Sequence, residues 1–142
     1  MTDFSVYIGN SLISWKSKKQ GTISKSSCEA EYKAMTTVTC EIQWLVYLLQ
    51  DLKVHFEQPS LSYCDNDSTR YVAANLVFNE HTKHIEIDCH FVREKLKKGL
   101  VHLLLISTTD QLADIYTKVL GPQSFKNICS NTGLINVCSP IM

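Results

Sequence analysis

Residues 26–35 read "SSCEAEYKAM", and the fold turns on what this stretch begins. Ser26 followed by Glu29 has the spacing of a capping box, in which the hydroxyl caps a helix start and the glutamate folds back onto the cap amide. Counting helically from Glu31 meets Met35, Val38, Ile42, Leu45, Leu49 and Leu52, an unbroken apolar stripe. Counting from Glu29 meets Lys33, Thr36, Cys40, Gln43 and Tyr47, a mostly polar face. The spacing therefore predicts a long helix over about Ser27–Lys53 with one buried side. It also separates the two glutamates. Glu29 has sufficient work as a cap. Glu31 heads the buried face, where a charge is costly unless paired. A functional carboxylate would account for it, and so would a first-turn acid favoured by the helix dipole.

The flanking elements follow from this helix. Upstream, Phe4–Ile8 ("FSVYI") and Leu12–Lys16 ("LISWK") are β-branched and aromatic runs joined by Gly9-Asn10, which predicts a hairpin. Lys16, Lys18, Lys19 and Lys25 then fall in ten residues without an acid. Downstream, Leu61–Cys64 ("LSYC") reads as a short strand ending in Asp65-Asn66, followed by a short helix over about Ser68–Asn75. Within "FNEHTKHIEIDCHFVREKLKKG" (78–99), Ile85, Cys89, Val92 and Leu96 share a helical face, and Gly99 fits the cap that ends it. Leu100–Ile106 ("LVHLLLI") is a buried strand. Thr108 and Gln111 offer a second capping box for a helix ending near Leu120, where Gly121-Pro122 stops it, and a last helix covers about Pro122–Ser130. The order β-β-α-β-α-α-β-α-α predicts an α/β domain with a mixed sheet.

Composition bounds the function. The chain has 142 residues, enough for one core, with 44% hydrophobic and 20% charged residues. Lys plus Arg and Asp plus Glu number 14 each, so any nucleic-acid surface must be local. No apolar run approaches the roughly 18–20 residues of a membrane span, and the opening "MTDFSVYIGN" does not read as a secretory signal. The six cysteines form no C-x-x-C pair and fall mostly in apolar segments, which predicts reduced, buried thiols in an intracellular, cytoplasmic protein.

Two constellations bear chemistry. His81, His84, Asp88 and His90 lie close together, but no H-E-x-x-H or paired-cysteine pattern supports zinc, and a polar helix start explains them. Adjacent Cys89 and His90 do not face each other on a helix, so they make no nucleophile pair. The better set is Glu31 in a helix's first turn, Asp65 after a strand and Asp114 in the first turn of a late helix. Strand ends and helix starts can converge at one edge of an α/β sheet. Clustered carboxylates need cations, and hard magnesium ions prefer such oxygens. Two such ions can clamp the attacking and leaving oxygens of a phosphodiester. The bland readings are an Asp-Asn turn for Asp65 and an exposed Asp114–Lys118 ion pair for Asp114. The run Arg93, Lys95, Lys97, Lys98 is a further phosphate candidate, against a solvated helix end.

The stretches "ISWKSKKQGTISKSSCEAEYKAM", "CDNDSTRYVAAN", "FNEHTKHIEIDCHFVREKL" and "DQLADIYTKVL" resemble the ribonuclease H domain at the end of the polyprotein of copia-type plant retrotransposons. The likeness covers about residues 4–135, so 1–135 reads as the domain and 136–142 as a tail. It implies a ribonuclease H-like mixed sheet flanked by helices. It implies hydrolysis of the RNA strand of an RNA–DNA hybrid with two magnesium ions held by four acids. The E-Y-x-A pattern puts the family's helix glutamate on Glu31, "CDN" puts the strand-end aspartate on Asp65, and "QLAD" puts the late aspartate on Asp114. Lys16, Lys18, Lys19, Lys25 and Asn66 become candidates for nucleic-acid contact. The implied partners are the hybrid and the reverse transcriptase portion of the same polyprotein, within a virus-like particle and away from any membrane.

The family's fourth acid lies on a first strand of "DADWAG" type, upstream of the hairpin. Here "TDFSVYIGN" matches the second strand, and Asp3 falls where the family has a small residue, so Asp3 is not counted among the acids. The first strand is central in that fold, between the hairpin and "LSYC". Its absence would leave two inner edges with unpaired backbone groups. The expectation is an N-terminally truncated ribonuclease H-type domain that is inactive as it stands. The alternative is a catalytically dead relic that at most binds nucleic acid weakly.

Overall fold

The hairpin forms as its alternating β-branched and aromatic residues require. In a computed structural model of the chain, which describes residues 2–19, 21, 27–67 and 83–134, β1 (Thr2–Ile8) pairs antiparallel with β2 (Ser11–Lys18). Gly9 turns the chain at φ 58, a left-handed value that favours glycine. A bulge between Val6 and Tyr7 shifts the register, so Tyr7 lies opposite Leu12.

Helix α1 runs Ser27–Asp51. It ends in a Schellman arrangement: Val54 N–H reaches Leu49 O at 2.9 Å and Lys53 N–H reaches Gln50 O at 2.9 Å, with Lys53 at φ 61. After α1 come β3 (Ser60–Cys64), α2 (Lys83–Lys97) and β4 (Val101–Leu105). Strands β3 and β4 are parallel, from Ser60 opposite Val101 to Cys64 opposite Leu105, and Ile106 N–H to Cys64 O at 3.0 Å extends the ladder. Gly99 at φ 71 closes α2 as the sequence predicts, with Leu100 N–H on Lys95 O at 3.0 Å. The last helix, α3, spans Pro122–Thr132 and stops at Gly133, φ 70.

The core lies between α1 and α2. Tyr32 and Met35 pack with Cys89 and Val92, all at most 4% exposed, and Cys64, Phe91, Leu96 and Leu103 close around them. The stripe from Glu31 is only partly covered. Met35 and Ile42 are buried, Val38, Leu45 and Leu49 are half-buried, and Leu52 is 65% exposed.

The described residues form a mixed α/β structure of two separate two-stranded sheets, β1-β2 and β3-β4, with three α-helices. Strands β1 and β3 are not hydrogen-bonded to each other.

Three expectations are corrected. The helix foreseen from Thr108 to Leu120 is instead two short 3-10 segments, Thr108–Asp110 and Leu112–Tyr116. Ser107 takes the cap position, but its hydroxyl bonds the Asp110 carboxylate at 2.7 Å rather than a backbone amide. Close-spaced β-branched Ile115, Thr117 and Val119, with Gly121-Pro122 beyond, deny the segment a longer helix. Arg93 is buried, so it belongs to no exposed basic patch; Lys95 lies 5.2 Å over the Phe91 ring, and Lys98 is tied to Glu94 at 2.6 Å. Cys40 is exposed, whereas Cys89 is buried as expected. The short helix foreseen near Ser68–Asn75 lies outside the described residues. Among those residues, no helix is long and apolar enough to cross a membrane.

Candidate acid cluster in the cleft between the sheets

The two sheets stand apart, and a cleft of about 1040 Å³ separates them. β1, β3 and the α1 stripe at Val38, Ile42, Leu45 and Leu49 all line it. The apolar face that the sequence marks for burial is thus the lining of an open groove.

Acids from distant parts of the chain line this cleft. Glu31 stands half-buried in α1 at the head of the stripe, and Asp65 is half-buried directly after β3. Asp114 comes from the second 3-10 segment, with only 8% of its side chain exposed. Asp3, set aside in the sequence, comes from β1 and lines the same cleft. Asn66, beside Asp65, is half-buried.

The Asp114 segment is fastened to the hairpin. Thr117 Oγ1 donates to Asp3 Oδ2 at 3.0 Å. Ser17 Oγ donates to Tyr116 O at 3.4 Å, and the Trp15 and Tyr116 rings stack with centroids 5.5 Å apart and planes at 16°. Burial lifts the Asp3 carboxyl above its ordinary 3.8, and the nearby Asp114 charge adds to the rise, while the Thr117 hydroxyl pulls the other way.

Lys118 completes the group. Its Nζ lies 2.7 Å from Asp114 Oδ2, and its own N–H donates to Asp114 O at 2.9 Å. Its ammonium is held above the ordinary 10.5 chiefly by the Asp114 hydrogen bond, with the charges of Asp114, Asp65 and Asp3 adding to it. The ion pair read from the sequence is therefore present, but its carboxylate is buried rather than exposed.

The oxygen donors suit a hard divalent cation. Their arrangement does not. Among the described residues no three His, Cys, Asp or Glu side chains converge closely enough to hold a metal ion, and Asp114 already carries an ammonium. As arranged here, the residues do not fit resident magnesium.

The other sequence candidates fall as follows. Lys16, Lys18 and Lys19 are exposed at and beyond the end of β2, while Lys25 and Ser26 lie outside the described residues. Glu29, read as a cap, is paired with Lys33 one turn on at 3.0 Å. His90 is exposed; His81 and the side chain of His84 lie outside the described residues. Asp3 was set aside in the sequence because it falls where the resembled family has a small residue, and Thr117 was not singled out. For Thr117 the signal was the Thr-Lys that follows "QLADIY".

No protein-family profile matches the chain, and no solved structure does. Three curated relatives that cover most of the chain are plant polyproteins. The chain is 42% identical over 134 residues, 94% of its length, to the retrovirus-related Pol polyprotein from transposon RE1 of Arabidopsis thaliana. It is 41% identical over 134 residues to that from transposon RE2 of the same plant, and 37% identical over 114 residues to that from transposon TNT 1-94 of Nicotiana tabacum. It spans only 8–9% of the length of these three relatives. Taken together, the chain is homologous to one short region of copia-type plant retrovirus-related Pol polyproteins.

Proposed function

We propose that this region is a ribonuclease H-type nuclease module of a retrotransposon Pol polyprotein, with Glu31, Asp65 and Asp114 as its catalytic acids. One observation carries the reading: three acids far apart in sequence line one cleft beside two sheet edges. A strand entering between β1 and β3 would pair with both edges, cover the apolar lining and bring a further acid. The substrate would be an RNA–DNA hybrid, with the exposed Lys16, Lys18 and Lys19, and Lys25 and Asn66, near its phosphates. The reverse transcriptase portion of the same polyprotein, acting in a cytoplasmic virus-like particle, would supply that hybrid. Magnesium is the cofactor this chemistry calls for. The described arrangement does not fit it, so the chain as it stands is proposed to be inactive.

The second reading, a dead relic that binds nucleic acid weakly, is favoured by the Lys118–Asp114 pair, which leaves the late acid already neutralised. One experiment separates the two. Hybrid cleavage with magnesium is measured for the chain alone and for the chain extended upstream by a strand of "DADWAG" type. The nuclease reading expects cleavage only in the extended protein, abolished by Asp65→Asn. An extended, folded protein that leaves hybrid intact would decide for the relic.

A further inference from the structure

The outer strand of the hairpin carries features that the acid cleft leaves unused. Trp15 is 60% exposed, and its ring stacks on Tyr116 with centroids 5.5 Å apart and planes at 16°. One face of the indole is therefore backed by a second ring, and what stays open is the other face and the edge. Ser17, two residues on and on the same side of β2, donates to Tyr116 O at 3.4 Å. Thr117 Oγ1 on Asp3 Oδ2 at 3.0 Å ties the same segment to β1. The indole is thus held in place before anything binds, which lowers the entropy lost on contact.

A single exposed tryptophan is ordinary. What sets this one apart is the charge beside it. Lys16 and Lys18 lie on the opposite side of β2, about 6.6 Å apart along the strand, and Lys19 follows; all three are exposed. None is paired with an acid among the described residues, and the Glu41 carboxylate that reaches β2 takes the Ser14 hydroxyl at 2.7 Å. Among those residues β2 is hydrogen-bonded to β1 alone, so its outer edge is open, with the indole on one side and the ammoniums on the other. We propose that this edge is a binding site for single-stranded nucleic acid, in which Trp15 stacks on an unpaired base and Lys16, Lys18 and Lys19 hold the phosphates beside it. A base inside a duplex already has both faces stacked, so the open indole face selects an unpaired one. Ammoniums without acids supply the part of the affinity that ignores sequence. The site needs neither the cleft acids nor a metal, and it goes beyond cleavage of a hybrid.

The test is binding of a fluorescein-labelled oligothymidylate of about 12 nucleotides to the whole chain in EDTA. Trp15→Ala should weaken binding roughly tenfold with its salt dependence unchanged, and Trp15→Phe should keep most of the affinity. Lys16→Gln combined with Lys18→Gln should instead lower the slope of log affinity against log salt by about 1.4. Whatever affinity an RNA–DNA hybrid of the same length shows should be indifferent to Trp15→Ala. A folded Trp15→Ala that binds the oligothymidylate as tightly as wild type overturns the proposal, and so does an equal loss on the hybrid. Absence of saturable binding by the wild type overturns it too, and leaves the indole to a protein partner. Should Trp15→Ala not fold, the indole itself decides. The chain has two tryptophans, so Trp44→Phe leaves Trp15 as the sole reporter. Oligothymidylate should quench its fluorescence saturably, and inorganic polyphosphate at equal phosphate concentration should not. No quenching, or equal quenching by both, overturns the proposal. Cleavage plays no part in these readouts. An extended protein that never cuts hybrid sinks the nuclease reading while leaving the Trp15 result standing.

Discussion

Helix α1 has two sides with different fates. Toward α2, Tyr32 meets Val92, and each is 1% exposed. Toward the sheets, Val38, Leu45 and Leu49 line a groove and stay half-buried. Met35 of the apolar stripe packs on the α2 side, while the rest of the stripe as far as Leu49 faces the groove. The difference is that one has a partner among the described elements and the other has only two strand edges standing apart. Hydrophobic periodicity says which face of a helix needs cover, and it does not say what provides it.

The largest effect expected is on the open side. Adding an upstream strand that pairs with β1 and β3 would bury the Leu45 and Leu49 side chains and cover two edges. Thermal melting should rise by well over the shift of any single substitution below, and magnesium-dependent hybrid cleavage should appear with it. Positioning errors of about 1 Å can cost roughly 100-fold in rate, so the cleft, with no strand joining β1 to β3 among the described residues, should show no measurable cleavage. A strand that raises stability without giving cleavage would break the link between cover and chemistry.

The closed side gives the next effect. Val92→Ala removes two methyl groups from a fully packed site, and should cost about 2 kcal/mol in denaturant unfolding through lost transfer energy plus cavity. Leu49→Ala removes more carbon but from a half-open groove, and should cost under about 1 kcal/mol. The order reverses normal expectation by side-chain size. With the added strand in place, Leu49→Ala should climb into the roughly 2–5 kcal/mol range of buried leucines. Equal costs for Leu49→Ala with and without the strand would mean that the groove is not where the strand goes.

The same contrast explains what was legible in the sequence. Elements with strong local signals read well: the stripe of α1 gave its extent within two residues at its C-terminal end, and Gly99 gave the end of α2. The 108–120 stretch did not, because its capping pattern suits a helix while its β-branched residues and the nearby proline favour short turns. Glu31, Asp65 and Asp114 were legible as element-end acids, and all three line the cleft. Asp3 was set aside, because it falls where the resembled family has a small residue and a lone acid early in a strand carries no pattern of its own. Its place depends on the Thr117 hydroxyl arriving from more than a hundred residues away. Nor did spacing reveal that Asp114 would be buried, since the Asp114–Lys118 pattern is the same for an exposed pair and a buried one.

The smallest effect concerns Asp3 and tests whether it belongs to the cleft's electrostatics or only to the hairpin. Its carboxyl is raised above 3.8 mainly by burial, with Asp114 adding, so the folded protein holds the Asp3 proton more tightly than the unfolded chain does. Stability must then fall as pH rises from 3.8 through the folded value, and the loss is complete above it. Below 3.8 both states are protonated and Asp3 contributes nothing of this kind. Asp3→Asn removes the charge and keeps an oxygen to accept from Thr117 Oγ1. Its melting temperature should therefore exceed the wild type's near neutral pH by a small margin, because Asp3 is only half-buried and water screens it. The gain should vanish as the pH drops below 3.8. Combining it with Lys118→Met sharpens the result: with the ammonium gone, Asp3 and Asp114 repel without relief, and the gain from Asp3→Asn should grow. A gain that persists unchanged at acid pH, or that is the same with and without Lys118, would detach Asp3 from the acid cluster and leave it a hairpin residue that happens to meet Thr117.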